Sequence, residues 1–393
     1  QNNNPNTLYA LLKGYLAFSP SGNLQASTII APMDYSWDQQ THQSPASKQQ
    51  LKYYLQLAAD DRLDMLPLDR PLIKKVRAQL EEIIPADRAY GLLTFKAATS
   101  DLPNMTFLHQ IGTTFNHIFD LPKANQSIAA LYTQAGYEHI YNKQAHTIAW
   151  QVAHDNQEIG LDQTSTQDSQ QILAQMHAKY VSNYAKIWQD VISHISLHKF
   201  TSLAQLNAAL TDLSSAHSPL QQLLEIIVNN TQDISDTTST YTDIKTFFHN
   251  FLSPSYRSVE KATVSLNKYI TTIQSSKIPD KAAYEAVVNY YQNNSNNPLK
   301  VFDDTIKDAP APVKQWLTAL SNNTWQLVNQ AALRYLNAQW QKTVMPSFKS
   351  TIQGRYPYQH NSHDDIALDD FNTFFAPEGL IDQFFDTYIA CFT

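Results

Sequence analysis

Residues 334–388, RYLNAQWQKTVMPSFKSTIQGRYPYQHNSHDDIALDDFNTFFAPEGLIDQFFDTY, decide how this chain is read. The stretch opens in an amphipathic helix, because Trp325, Val328, Ala332, Tyr335, Leu336 and Trp340 recur at three- and four-residue spacing. Pro346 has no N–H to give and marks a break or kink. Gly354 permits a turn, and Pro357 pushes Tyr356 out of the helical region. Residues 359–365 carry no apolar period and read as a polar loop. Asp369 or Asp370 is expected to cap a short helix bearing Phe371, Phe374 and Phe375. Pro377-Glu378-Gly379 is turn chemistry, after which Leu380, Ile381, Phe384, Phe385 and Tyr388 form a last apolar face. The succession reads as a structural lock, not as a pocket with convergent reactive groups.

Working outward, helical periodicity dominates. Leu8–Phe18 reads as a helix closed by Ser19-Pro20-Ser21-Gly22, followed by polar, irregular residues 23–46 with Trp37 as their one large anchor. Further helices are expected at 47–59, from Leu72 to about Pro85, and around 88–93 behind an Asp87 cap. Residues 94–130 are the least periodic, and Met105–Leu108 and Ile128–Tyr132 are candidate strands. Helices follow at 138–154 and 170–197, the latter with Ile172, Met176, Tyr180, Tyr184, Ile187, Val191 and Ile195 on one stripe. More are read at 203–213, 219–229, 242–252, 256–274, 280–292 and 313–320, with 231–240 as a loop. Breaks near 161–169 and 293–298 divide the chain into three consecutive parts. These are an N-terminal helical subdomain (1–165), a central bundle (166–300) and a C-terminal helical region (301–393).

Composition agrees with a mainly α fold, an elongated multi-helix bundle with at most a few short strands. A chain of 393 residues with 43% hydrophobic and 16% charged residues is long and apolar enough for real cores. Only 8 glycines disfavour a turn-rich β architecture. A net charge of −7 leaves no footprint for nucleic acid, and no basic cluster points to an anionic membrane surface. The lone Cys391 excludes an internal disulfide and a cysteine-based zinc cage. No run approaches ~18 apolar residues, so nothing here spans a bilayer.

Chemistry is sparse. A phosphate loop needs clustered glycines before a Lys-Ser/Thr pair, and none exists; no cofactor is expected. His194 and His198 would share a helix face, but Ile195 stands where a zinc protease needs its general-base Glu. His360, His363, Asp364 and Asp365 could ligate a metal from a loop, against a reading as solvated and capping residues. Asp364, Asp365, Asp369, Asp370 and Glu378 could supply paired carboxylates for glycoside hydrolysis, though most serve as loop and cap residues. Catalysis is the minority reading. The five phenylalanines of the lock are too many for one narrow stripe, so some are expected in the core and others against another chain. Arg355 is expected to pin loop carbonyls or an aspartate of 364–370.

The pattern carried by Trp340, Pro346, Gly354, Arg355, Tyr356, Pro357, Asp365, Leu368, Asp370, Phe371, Phe374, Phe375, Pro377, Gly379, Phe384 and Phe385 resembles the C-terminal part of the IcmF/TssM family. Collinear patches extend the likeness: Leu68-Asp69, Val76, Gln79-Leu80, Pro85, Arg88, Tyr90 and Leu93; Leu131-Tyr132-Thr133 with Gly136-Tyr137; and Tyr180–Ile192. Glu378 stands where family members have a second glycine in a Pro-Gly-Gly-like turn, which should stiffen it. These are inner-membrane components of type VI and type IVB (Dot/Icm) secretion systems. The resemblance implies a non-enzymatic, periplasmic scaffold fragment, with membrane contact made through upstream segments. It implies a DotU/TssL-like inner-membrane partner, other secretion-complex subunits and self-association. The chain starts at Gln1, which suggests a piece of a longer protein, and its C-terminus just after the double Phe leans toward type IVB without separating the two systems. A cell-wall hydrolase and a periplasmic binding or chaperone module are the alternatives.

Overall fold

A computed structural model describes residues 5–17, 67–154, 168–231, 256–292 and 296–392, with scattered positions between 46 and 57. The fold is mainly α, with two small antiparallel strand pairs among the described residues. The expected helices at 47–59 and 242–252, the irregular stretch 23–46, the 231–240 loop and the 161–169 linker lie largely or wholly outside the described residues.

The chain divides into two compact units that interleave along the sequence: residues 1–110, 122–194 and 226–245 form one, and 111–121, 195–225 and 246–393 the other. This differs from the three consecutive parts read from the sequence. Loop composition marks where helices stop, not which segments return to pack against earlier ones.

In the first unit, α1 (Pro5–Leu16) lies against α2 (Arg70–Glu81) and α3 (Pro85–Ala98). Asp69 caps α2, its carboxylate accepting from the Leu72 N–H at 3.0 Å. α3 begins earlier than expected because Pro85 is well placed in a first helical turn. Asp87 therefore sits inside that turn and pairs with Lys179 instead of capping. α3 packs on α4 (Asn142–His154) and α5 (Ser169–His194). Along α5 the inward stripe of Ile172, Met176, Tyr180, Tyr184 and Val191 is buried, with Val181 and Trp188 filling its flank. Of the two candidate strands, Met105–Thr106 (β1) pairs with Ser127–Ile128 (β3), while Phe107–Ile111 and Ala130–Tyr132 turn helical.

In the second unit, Phe119–Asp120 (β2) pairs with Ser196–Leu197 (β4). That pairing claims backbone groups the sequence assigned to the end of the long helix, so α5 stops at His194 and His198 is not on its face. Helices α6 (Leu203–Leu213), α9 (Pro279–Tyr291) and α10 (Pro298–Ile306) pack with the 33-residue α11 (Ala311–Thr343), and α8 (Tyr256–Gln274) packs on α6, α9 and α10. Between them in sequence, α7 (Pro219–Thr231) runs from this unit into residues of the first. α10 has no counterpart in the sequence reading, although Asn297 caps it by accepting from the Leu299 N–H at 3.0 Å. α11 is continuous through Ser321-Asn322-Asn323, where a short helix at 313–320 was expected to end. Asn323 spends its amide on the Phe200 backbone at 2.8 and 3.1 Å, and Ser321 donates to Asp303, so these polar side chains stabilise tertiary contacts instead of breaking the helix.

Candidate functional site

The organising stretch folds back on the end of α11. After Thr343 the chain makes a helical turn at Met345–Ser347 and a π-helical turn at Phe348–Ile352, so Pro346 ends the long helix without dispersing the backbone. Gly354 follows at φ 82°, a left-handed conformation suited to glycine. A cis Tyr356–Pro357 bond then opens a loop closed by Tyr356 N–H to Asp364 O (2.9 Å) and Ile366 N–H to Tyr356 O (3.2 Å). Arg355 donates to Thr351 O at 3.2 Å and lies 3.9 Å from the Asp370 carboxylate, tying the start of the loop to the helix that follows it.

That helix is α12 (Leu368–Phe375). Its N-cap is Ala367, not Asp369 or Asp370; both aspartates lie in the first turn, where they complement the positive end of the helix dipole. The turn at Pro377 places Glu378 at φ 65° and brings Gly379 so close to Ala376 that an added Cβ would meet its carbonyl oxygen at 2.7 Å. Gly379 therefore serves close packing, and Glu378 carries the positive φ. Asp382, in the first turn of α13 (Leu380–Tyr388), accepts from the Glu378 N–H at 2.8 Å.

Together these elements bury Val344, Ile352, Phe374 and Phe384 in a separate small core edged by Trp340, Phe348, Phe375 and Tyr388. Trp340 meets Phe384 edge-on, with ring centroids 5.0 Å apart. The five phenylalanines split: Phe374 and Phe384 are buried and Phe375 is half-buried, whereas Phe371 and Phe385 remain about two-fifths exposed. Above this core, Tyr284 donates to Tyr388 O at 2.9 Å, and burial, then the Cys391 thiol, raise its hydroxyl pKa. The sequence reading missed Tyr284, since nothing local joins α9 to the end of the chain.

The groups weighed for chemistry do not converge. His194 Nδ1 meets its own helix at Asp190 O (2.7 Å), and His198 pairs with Asp120 at 3.0 Å. Among the described residues no group of three His, Cys, Asp or Glu side chains is arranged to hold a metal ion. His360 stacks on Tyr356, and Asp364, Asp365 and Asp369 are exposed. An open cleft of about 650 Å³ in the first unit is lined by Asn125, Tyr132, Lys186 and Asp190 among others, and Asn125 already donates to Asp190 at 2.6 Å. No described helix is long and apolar enough to cross a membrane.

Helical packing with an aromatic C-terminal lock defines a mainly α protein. Residues 1–232 match the family described as IcmF-related (Intracellular multiplication and human macrophage-killing), and residues 331–392 match the type VI secretion protein IcmF helical domain. The chain belongs to the IcmF-related family. It is 21% identical over 430 residues to the type VI secretion system component TssM1 of Pseudomonas aeruginosa, a match covering 97% of this chain and 39% of that protein. Among solved structures, a type VI secretion system membrane core complex aligns with a TM-score of 0.58 at 15% identity, over 78% of this chain and 62% of that one. A type VI membrane complex aligns with a TM-score of 0.49 at 16% identity, over 80% and 62%. The chain thus spans well under half the length of the curated relative.

Proposed function

We propose that this chain is the periplasmic part of an inner-membrane scaffold in a type VI secretion apparatus, acting through protein–protein contacts and without turnover. The observation that carries the reading is the use made of the family's C-terminal pattern. Phe374 and Phe384 go into a small core that Trp340 edges, and Arg355 reaches Thr351 and Asp370, so these residues of the likeness hold a shape instead of surrounding a reactive cavity. The type VI names of the matching helical domain and of TssM1 favour that system over type IVB. The partners in this reading are a DotU/TssL-like inner-membrane protein and other secretion-complex subunits, with bilayer contact made by segments outside this chain.

The test is affinity purification of the full-length tagged protein from detergent-solubilised envelopes, followed by mass spectrometry. Co-purification of a DotU/TssL-like protein with further secretion subunits is expected, and an outer-membrane TssJ-like lipoprotein would fix the type VI assignment. Recovery of the protein alone, or with cell-wall fragments, overturns the scaffold reading.

A further inference from the structure

The chain's charge is not spread along it. Every Lys and Arg lies at or before Arg355, while residues 356–393 hold seven carboxylate side chains, so the entire net charge of −7 falls on the closing loop, α12 and α13. The same segment exposes an apolar stripe. Leu368, Phe371 and Phe375 recur at helical spacing on α12, with Leu368 73% and Phe371 39% exposed. Tyr358 extends the stripe, stacking on Phe375 with centroids 5.8 Å apart and planes 8° from parallel, and Phe371 meets Phe375 at 4.9 Å. Asp364, Asp365 and Asp369, all exposed, border it in sequence. Aromatic faces edged by carboxylates attract cations carried on aliphatic stems.

A face of that chemistry lies elsewhere on the same chain. α2, RPLIKKVRAQLE, carries four cations and one acid. Arg70, Lys74 and Lys75 are exposed, away from the buried Ile73 and Leu80, and the positive end of the helix dipole lies beneath them. Leu72, about half exposed, adds apolar surface on the same turns. We propose that α2 of one copy docks on the acidic aromatic surface of α12 and its preceding loop in a second copy. The two surfaces differ, so the contact is heterologous and links copies head to tail. It adds a contact to the scaffold reading and stands without it, since the purified chain alone suffices for the test.

Sedimentation velocity of the chain over a wide concentration range is the measurement. Association is expected at low ionic strength and should fade in high salt, as for contacts between exposed charges. K74E/K75E puts carboxylates where α2 carries its paired lysines, and D364K/D365K puts cations on the loop that α2 would meet, so each alone should associate roughly tenfold more weakly or worse. Mixing the two variants should restore assembly. All four positions are exposed, and circular dichroism checks that each variant keeps its helices. A chain that stays monomeric, association that ignores salt or these charges, or failure of the mixture to assemble overturns the proposal. Loss in the aspartate variant alone would remove α2 as the occupant and overturn it equally.

Discussion

The aromatic centre around α5 and the C-terminal lock are both built from large rings, but they are held in different ways. Around α5 the rings carry polar handles, and each handle reaches a distant backbone. Tyr180 donates to Leu131 O at 2.9 Å, Tyr184 to Asn230 O at 2.6 Å, and Trp188 to Tyr132 O at 2.9 Å. The first and third of those bonds fasten irregular residues before α4 and the second ties α5 to Asn230 of α7, while Tyr141 stacks on Tyr180 at 4.3 Å. In the lock the centre is phenylalanine, and position comes from shape and from the Arg355 and Asp382 contacts at its edges. A ring with a hydroxyl is committed to one partner, whereas a phenylalanine can face inward or outward at modest cost. This explains how the lock keeps Phe371 and Phe385 on its surface while the fully buried Trp188 and Tyr180 have no such freedom.

The largest test of this contrast is Trp188→Ala. It removes a fully buried ring and leaves the Tyr132 carbonyl unpaired, so a loss of about 4–5 kcal/mol is expected in denaturant titrations. Phe374→Ala empties the smaller core and should cost about 3 kcal/mol, whereas Phe385→Ala, at an exposed ring, should change stability by less than ~0.5 kcal/mol. Equal losses at 374 and 385 would contradict the split between core and surface rings.

Tyr180→Phe isolates the polar handle. It keeps the ring but strands the Leu131 carbonyl, for an expected loss of about 1–2 kcal/mol by the same titration. The handle also predicts a pH response. Burial, reinforced by neighbouring tyrosines, raises the hydroxyl pKa of Tyr132, Tyr141 and Tyr180. Their neutral forms favour the fold, so this stability is full below the unfolded tyrosine value near ~10 and is lost as pH rises above it toward the folded values. Alkaline titration followed by near-ultraviolet dichroism should show the α5 region melting above about pH 10, less steeply in Tyr180→Phe.

One modest expected effect has the opposite sign. At φ 65°, Glu378 uses its backbone N–H and carbonyl in the turn's hydrogen bonds, so Glu378→Gly keeps them and relieves the strained backbone. A gain of about 0.5–1 kcal/mol is expected from thermal melts, while Gly379→Ala next to it should cost about 1–3 kcal/mol through its clash with Ala376 O.

The helices were legible wherever an apolar stripe repeated over several turns, as at 170–194, 256–274 and 280–291. The aromatic pattern of 340–385 was legible too, because Gly354, Pro357, Pro377 and Gly379 punctuate it with residues whose backbone preferences are strong. Caps were harder to read. Asp69 and Asn297 accept from the first turns of their helices, but Asp87, Asp369 and Asp370 each lie inside a first turn, where the same residue type is equally at home. A short helix at 313–320 is read from the sequence ahead of the organising helix, whereas α11 is continuous, and Asp303 and the Phe200 backbone make Ser321 and Asn323 interior residues.

The sequence by itself therefore determined the helical class, the family likeness and the residues of the lock, since periodicity and turn chemistry are properties of neighbours along the chain. The tertiary structure alone decided that two units share interleaved segments, that α5 yields its last residues to a strand pair, and which phenylalanines of the lock are buried. Those outcomes depend on hydrogen bonds and packing between residues many positions apart, and no local pattern records them.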